Sequence, residues 1–158
     1  MSNVAVIGSV NLDIVAKAAK LPQPVTGAEL HRFPGGKGAT QAQAAQRLGA
    51  DVSLIARVGQ DATADEALAL LREGGVDLSH CVALPDAATG TALIAVSPSG
   101  ENQIVVAPGA NRLLQPGDLD IPDVDAVICQ LEVPADTVAT AAREFAGFFS
   151  VNLAPAMH

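Results

Sequence analysis

Short apolar runs alternate with amphipathic segments along most of the chain, and this alternation predicts the secondary structure. Each apolar run is too short for a helix and contains few polar residues, which is typical of a buried β-strand. The runs cover residues 4–7, 52–58, 126–131 and 148–151. Because each run stands next to helical sequence, the pattern predicts a parallel sheet that is buried on both faces.

Three amphipathic segments separate these runs. The first covers residues 39–48 and ends at a glycine, a common helix terminator. In the second, Thr63 and Glu66 have the spacing of a capping box ahead of apolar residues at helical intervals. The third carries Pro134 in its first turn and ends at Gly147. We therefore predict an α/β fold with an open, mostly parallel sheet and flanking helices.

One section of the chain departs from this alternation. Residues 91–96 and 103–107 are strand-like and are joined by a turn-rich stretch, which predicts an antiparallel hairpin inserted between the α/β units. Residues 21–34 contain three prolines and little periodicity, and they fit an edge strand of the same small sheet. We expect a small antiparallel β lid formed by approximately residues 21–34 and 89–108.

The last predicted strand is followed by only a few residues. A strand in a sheet that is covered on both faces needs a helix after it, and the sequence contains none. On this pattern, residues 1–158 are expected to be the N-terminal part of a longer α/β domain that is incomplete at its C-terminus.

Composition narrows the class of protein. The chain has 158 residues, of which 49% are hydrophobic and 16% charged, so a packed core is expected rather than disorder. A formal net charge of −8 argues against a nucleic-acid partner and against an anionic membrane surface. No apolar segment approaches the ~20 residues that cross a bilayer, and the N-terminus lacks a basic leader. Cys81 and Cys129 stand in apolar surroundings, which favours free buried thiols. We expect a cytoplasmic protein.

The glycine-rich stretch PGGKGATQ at residues 34–41 raises the question of a nucleotide site. A Walker loop requires G-x-x-x-x-G-K followed by Ser or Thr. Here Gly36 and Lys37 are followed by Gly38, and His31 stands where the first glycine belongs. The dinucleotide fingerprint G-x-G-x-x-G is also missing after the first strand. The stretch therefore matches neither nucleotide motif.

Polar side chains follow the first and third predicted strands. Asn11 and Asp13 project to the same side of an extended segment, and Glu132 comes directly after the third strand. The carboxyl ends of parallel strands meet at one edge, where ligands bind. An amide beside carboxylates can bind vicinal hydroxyls, and glycines at residues 35–38 allow backbone amides to approach a ligand. This combination predicts a polyol site.

Each of these signals also has a simpler interpretation. An Asn-x-Asp after a strand is often a turn that bonds its own backbone. Glu132 could simply favour the dipole of the helix that begins near Pro134. Lys37 is most often a solvated charge, and Gly35 with Gly36 most often a tight turn. The prediction of a polyol site therefore depends on the order of these residues along the chain and on their placement at the ends of strands.

The sequence resembles the ribokinase-type (PfkB) carbohydrate kinases in motifs that occur in the same order along essentially the whole chain. They are residues 8–13 (GSVNLD), 34–42 (PGGKGATQA), 47–50 (RLGA), 57–61 (RVGQD), 89–92 (TGTA), 100–102 (GEN), 109–111 (GAN) and 130–132 (QLE). The resemblance implies a ribose-like sugar held by Asn11, Asp13, Gly35, Gly36, Lys37, Gly38, Thr40 and Glu132. It also implies that the inserted sheet covers the sugar and forms a homodimer interface.

The sequence departs from this family in three ways. Thr40 stands where ribose-specific members usually have Asn, and a hydroxyl cannot reproduce the geometry of an amide, so the preferred sugar stays open. Residues 24–27 lack the usual Gly-Glu-Thr. The resemblance also implies that the catalytic Asp and the sites for ATP, Mg²⁺ and a monovalent cation belong to a half that would follow His158.

Three functions are compatible with this sequence. The chain could be the sugar-binding half of a kinase, inactive by itself. It could be a sugar-binding or dimerisation module without catalysis. It could also be an inert remnant whose sheet stays uncovered.

Overall fold

The computed structural model describes residues 2–18 and 29–155. In chain order the elements are β1 (Asn3–Ile7), β2 (Asn11–Lys17), β3 (Glu29–Gly35), α1 (Lys37–Arg47), β4 (Asp51–Gly59), α2 (Ala62–Glu73), β5 (Cys81–Leu84), β6 (Gly90–Val96), β7 (Asn102–Ala107), β8 (Ala126–Gln130), α3 (Ala135–Glu144) and β9 (Phe148–Asn152). Two short 3₁₀ helices, Gly109–Leu113 and Pro116–Asp118, lie between β7 and β8.

The larger sheet has five strands in the order β5-β4-β1-β8-β9, and all neighbouring pairs are parallel. Successive residues of β1 face opposite sides of it. Val4 and Val6 belong to the core cluster that contains α1 and α2, whereas Ala5 and Ile7 belong to the cluster that contains α3. The predicted parallel sheet with helices on both faces is confirmed.

The smaller sheet, called the lid below, has the strand order β3-β2-β6-β7. The pair β6–β7 is antiparallel, which confirms the predicted hairpin, and β2–β3 is antiparallel as well. The central pair β2–β6 is parallel, so the lid is a mixed sheet rather than the antiparallel one that was expected. Both central strands leave the larger sheet from its carboxyl edge, and they therefore run in the same direction. Strand β2 was not predicted, because Asn11 and Asp13 resemble a turn. Residues 21–28 of the expected lid edge lie outside the described residues.

The helix boundaries differ from the predictions at their ends. The N-cap of α2 is Asp61, whose Oδ1 accepts a hydrogen bond from the Ala64 amide at 2.8 Å, so the predicted Thr63 capping box is wrong. Helix α1 begins at Lys37, earlier than expected. Helix α3 ends at Glu144, before the glycine that was expected to terminate it.

Both cysteines are free thiols. Cys129 is fully buried beneath α3, and burial raises the pKa of its thiol to about 12. Cys81 is half-buried, and burial raises its pKa to about 11 against the opposing charges of two nearby arginines. Because the thiolate is the reactive form, neither side chain has the properties of a nucleophile.

No helix within residues 2–18 and 29–155 combines the length and apolar character of a bilayer-crossing segment.

Candidate functional site

A cleft separates the lid from the carboxyl end of the larger sheet. Its smaller part has a volume of about 370 Å³ and shares several lining residues with a larger part of about 630 Å³. The lid side of the smaller part carries the polar residues Asn11 and Asp13 at the start of β2, and its other lining residues are apolar, namely Ala92, Ile94, Ile104 and Val106. The opposite side is polar and comes from the first turns of α1 and the ends of β8 and β9.

Six of the eight predicted site residues line the smaller part of the cleft. They are Asn11, Asp13, Gly36, Lys37, Thr40 and Glu132. The other two, Gly35 and Gly38, lie beside the cleft, where a Cβ would collide with the Asp13 carboxylate and with the Ser9 backbone, respectively. Side chains from β2, from α1 and from the segment after β8 therefore meet in one place, although they are distant in sequence.

Glu132 holds the polar side of the cleft together. Its Oε1 accepts from Lys37 Nζ at 2.6 Å, and its Oε2 accepts from the Lys37 backbone N–H at 2.9 Å. Oε2 also accepts from the Ser9 hydroxyl at 2.5 Å, and that hydroxyl accepts from the Gly38 N–H at 3.2 Å. Glu132 thus joins the end of β8 to the start of α1, rather than serving only the dipole of α3.

Asp13 and Glu132 have opposite pKa shifts. Burial acts to raise the pKa of Glu132, but hydrogen bonds from the Lys37 amide, the Lys37 ammonium and Ser9 outweigh burial and lower it. For Asp13, burial raises the pKa, the charge of Glu132 raises it further, and attraction to Lys37 offsets only part of this. Glu132 is therefore firmly ionised and occupied by protein donors. In the described part of the chain, no protein donor hydrogen-bonds to the Asp13 carboxylate, so its oxygens remain for a ligand.

Protein acceptors already occupy the first backbone amides of α1. The N–H groups of Lys37, Gly38 and Ala39 donate to Glu132, to the Ser9 hydroxyl and to the Ser9 carbonyl, the last at 2.9 Å. Helix N-termini bind phosphates through such amides when they are free. Here they are satisfied, and the Glu132 carboxylate would repel an anion. The glycine-rich loop therefore does not fit a nucleotide phosphate.

The loop glycines permit close backbone packing. Gly36 has a φ of 87°, and a Cβ on it would lie 2.8 Å from the Asn11 nitrogen. A Cβ on Gly38 would lie 2.5 Å from the Ser9 nitrogen. Both positions need glycine so that α1 can approach the segment between β1 and β2. The Gly38 amide was expected to approach a ligand, but it donates to the Ser9 hydroxyl instead.

Asn11 and Asp13 lie at the start of β2, so their interpretation as a local turn is wrong. Asn11 is paired with Gly35 on β3 and with Gly90 on β6, and both side chains line the cleft. Asn11 Oδ1 accepts a hydrogen bond at 2.8 Å from the buried Asn111. The side chain that begins the lid is thereby fixed from behind by the segment that follows β7.

A second polar cluster fixes the start of lid strand β6. Asp61 accepts from the Thr89 N–H at 2.9 Å and from the Thr89 hydroxyl at 2.7 Å, in addition to capping α2. The Thr89 hydroxyl in turn accepts from the Gly59 N–H at 2.9 Å. Burial acts to raise the pKa of Asp61, but these bonds and those from the first turn of α2 lower it. The lid is thus tied to both α2 and β4.

Several residues of this site were missed as site residues in the sequence. Ser9 and Asn111 stand inside the motifs at residues 8–13 and 109–111, but a motif does not show which buried partner a side chain has. Gln41 and Asn152 also line the cleft. Gln41 directly follows the predicted site residue Thr40, and Asn152 lies at the carboxyl end of the fourth predicted strand. These positions in the sequence are the signals that could have identified both residues.

The cleft offers acceptors at Asp13, donors at Lys37 and an amide at Asn11, next to apolar side chains of β6 and β7. A small molecule with several hydroxyl groups on a compact carbon frame matches this combination. Within residues 2–18 and 29–155, no group of three or more His, Cys, Asp or Glu side chains is placed to hold a metal ion.

Comparison with known proteins gives the fold and the family. The chain is 38% identical to the ribokinase of Bacillus subtilis over 146 residues, which is 87% of this chain and 50% of that enzyme. It superimposes on the crystal structure of ribokinase from Thermotoga maritima with a TM-score of 0.91 at 29% identity, covering 99% of this chain and 54% of that one. The structure of Arabidopsis thaliana ribokinase complexed with ribose and ATP matches with a TM-score of 0.81 at 25% identity, over 97% of this chain and 54% of that one.

The fold and the cleft define an α/β protein with a lid over a polar pocket, as in carbohydrate kinases. The model of the pfkB family of carbohydrate kinases matches residues 1–157, and the chain belongs to that family. The chain spans about half the length of the curated ribokinase from Bacillus subtilis, in agreement with the expectation that it corresponds to the N-terminal half.

Proposed function

We propose that this chain provides the sugar-binding part and the lid of a ribokinase-type kinase, which phosphorylates ribose or a related sugar with ATP. The convergence of Asn11, Asp13, Lys37 and Glu132 beneath the lid is the observation that carries the proposal. The family membership supports the reaction class, and the relative complexed with ribose and ATP supports the substrates.

The proposed sugar contacts divide between ligand-facing and supporting groups. Asp13 accepts from sugar hydroxyls, since its oxygens are not engaged by protein donors in the described part of the chain. Asn11 contributes an amide from the adjacent position on the same face of β2. Lys37 and Thr40 contribute further polar groups, while the Glu132 carboxylate fixes Lys37 at 2.6 Å. Gly35, Gly36 and Gly38 let these groups approach each other.

The phosphate donor is proposed to bind elsewhere in the whole kinase. The occupied amides of α1 and the negative charge of Glu132 do not suit ATP. Phosphoryl transfer depends on positioning and on charge stabilisation around the γ-phosphate. For the whole enzyme we propose that ATP, Mg²⁺ and a monovalent cation bind in the part of the kinase that lies outside this chain. We propose that the same part supplies the catalytic base.

Isothermal calorimetry of the chain with ribose tests the proposed sugar site. We expect wild-type binding, and we expect Asp13→Ala to weaken it by about 1–3 kcal/mol because hydrogen bonds to the sugar are lost. Asp51→Ala is the matched control, since Asp51 is exposed at the start of β4, outside the cleft. Equal affinity for wild type and Asp13→Ala would remove Asp13 from the site, and no binding of any pentose would overturn the proposal.

An assay of ATP-dependent sugar phosphorylation tests the placement of the donor site. We expect no turnover by this chain alone, because the amides of the glycine-rich loop are occupied and the phosphate donor is proposed to bind elsewhere in the whole kinase. Robust turnover would show that the donor site lies within it.

A second candidate is a sugar-binding and dimerising module without catalysis. The exposed apolar residues on the lid favour an association role; they include Phe33, Leu93, Ile104, Val105 and Val106. The test is to mix the chain with a separately produced C-terminal half of a family kinase. If sugar binding and dimerisation persist but no sugar is phosphorylated, the module without catalysis is favoured over the kinase.

A further inference from the structure

Asn111 makes a closed set of hydrogen bonds behind the cleft. It lies in the 3₁₀ helix Gly109–Leu113 and is only 2% exposed. Its Oδ1 accepts from the Val10 N–H at 2.9 Å, and its Nδ2 donates to the Val10 carbonyl at 3.1 Å. The same Nδ2 donates to Asn11 Oδ1 at 2.8 Å. All three bonds are directed to Val10 and to Asn11, the first residue of β2.

The backbone of Val10 fixes the orientation of the Asn111 amide. A backbone N–H only donates and a backbone carbonyl only accepts, so the oxygen of Asn111 faces the first and its nitrogen faces the second. Turning the Asn111 amide by half a rotation would place donor against donor and acceptor against acceptor. A buried donor or acceptor without a partner is costly, so one orientation is strongly favoured.

This orientation also fixes Asn11. The second hydrogen of Asn111 Nδ2 points at Asn11, so Asn11 must present its oxygen to that side. Its Nδ2 then faces the cleft, which Asn11 lines in both parts. Among the side chains and backbone groups the structure describes, none accepts a hydrogen bond from this nitrogen. Asn11 therefore offers N–H donors to a ligand, while Asp13 beside it offers acceptors.

We propose that Asn111 is a positioning residue that restricts Asn11 to hydrogen-bond donation, so that the cleft selects a ligand group able to accept from Asn11. The inference rests on the proposed sugar function for the nature of the ligand. A sugar hydroxyl satisfies both neighbours, since its oxygen accepts from Asn11 and a hydroxyl hydrogen donates to Asp13. A ligand that has no lone pair at this position leaves the N–H donors of Asn11 without a partner.

Side-chain amide exchange in the ligand-free, ¹⁵N-labelled 158-residue chain tests the orientation without any sugar. We expect the Asn111 NH₂ protons to be strongly protected and the Asn11 NH₂ protons to exchange rapidly with solvent. A protected Asn11 NH₂ together with an exchanging Asn111 NH₂ would overturn the inference. This result is independent of the sugar proposal, so the failure of one is distinguishable from the failure of the other.

Asn111→Asp tests the effect on binding. Its carboxylate still accepts from the Val10 N–H but cannot donate to Asn11, so the Asn11 amide should turn and become protected. We expect ribose affinity to fall at least tenfold. Asn102→Asp makes the same chemical change at an exposed position of the lid strand β7 and should alter neither quantity. A purely structural role would lower stability while Asn11 exchange and the affinity of the folded protein stayed unchanged, and that outcome would overturn the inference.

Monofluoro sugars test the direction of the hydrogen bond in the wild-type chain, which keeps the inference testable if Asn111→Asp does not fold. Fluorine accepts weakly and cannot donate, whereas hydrogen at the same carbon does neither. Of the 2- and 3-fluoro derivatives of ribose, we expect at least one to bind more tightly than its deoxy analogue. If both deoxy analogues bind at least as tightly as the fluoro sugars, the donor assignment is wrong.

Discussion

Opposite environments of neighbouring carboxylates organise the cleft at the scale of single residues. Glu132 is surrounded by donors from Lys37 and Ser9, so its ionised form stabilises the fold. Because its folded pKa is lowered, this stabilisation is present above its unfolded pKa and is lost as the pH falls through the folded value. Asp13 behaves oppositely, since burial raises its pKa and its charge therefore opposes folding. The residue that keeps free oxygens for a ligand is the one that destabilises the empty protein.

Asp13→Asn separates these two roles. The substitution removes a charge that opposes folding at neutral pH, so we expect a higher urea midpoint at pH 7 than in the wild type. The folded pKa of Asp13 is raised, so the difference should disappear as the pH falls below the ordinary carboxyl value. Sugar affinity should nevertheless fall, because an amide replaces a charged acceptor, by about 1–2 kcal/mol.

Urea unfolding and calorimetry over this pH range measure both effects. Asp51→Asn, an exposed carboxylate on β4, is the control and should leave both quantities nearly unchanged. A lower midpoint for Asp13→Asn at pH 7 would contradict the assigned cost of the buried charge.

At the scale of secondary-structure elements, the sequence predicts best those elements whose neighbours are uniformly apolar. Strands β1, β4, β8 and β9 were recognisable, because burial on both faces demands continuous apolar runs. Strand β2 was missed, since its first residues serve the cleft and are polar. The N-cap of α2 was misplaced at Thr63, because Asp61 also binds Thr89, a partner distant in sequence.

The same reasoning applies to the candidate site. Asn11, Asp13 and Glu132 could be predicted because parallel strands bring their carboxyl ends to one edge. Ser9 and Asn111 could not, since their roles depend on buried contacts across 123 and 101 residues of sequence, respectively. The sequence distinguishes the glycine-rich loop from nucleotide motifs, but it does not show that the first amides of α1 donate to the protein itself.

Gly36→Ala tests the close approach of the loop to the segment that leads into β2. Gly36 and Gly100 share a φ of 87°, but a Cβ on Gly100 meets nothing within 4 Å, whereas one on Gly36 meets the backbone of Ser9 and Asn11. Both substitutions should cost about 1–3 kcal/mol of backbone strain. Gly36→Ala should cost about 1–3 kcal/mol more through overpacking.

Chemical denaturation of both variants gives the comparison, with Gly100→Ala as the matched control for strain. Sugar affinity should fall only in Gly36→Ala, since Asn11 and Lys37 are displaced by the same clash. Equal stability of the two variants would show that the loop has room to move away from β2.

At the scale of the whole molecule, the chain consists of a parallel α/β body and a lid whose strands are anchored to it by side chains. The lid itself is poorly covered, because every residue of β7 is exposed and β7 is one of its two edge strands. An exposed, apolar edge strand in a native protein is normally covered or blocked. Since the lid strand carries apolar residues with no cover in the described part of the chain, we propose a second lid as its cover, in a homodimer.

Ile104→Lys tests this homodimer. Ile104 lies on β7 and is 55% exposed, so the substitution creates no buried charge in the isolated chain, and the fold should be retained. In a dimer formed through the lid, the lysine would be desolvated against apolar side chains, and association should weaken by at least tenfold. Gln103→Lys on the same strand is the control, since it places the same charge where a polar side chain already stands. Analytical ultracentrifugation should show a dimer for the wild type and Gln103→Lys, and a monomer for Ile104→Lys at the same concentration. A wild-type chain that stays monomeric at high concentration, or an Ile104→Lys variant that dimerises as tightly as the wild type, would exclude the lid as the interface.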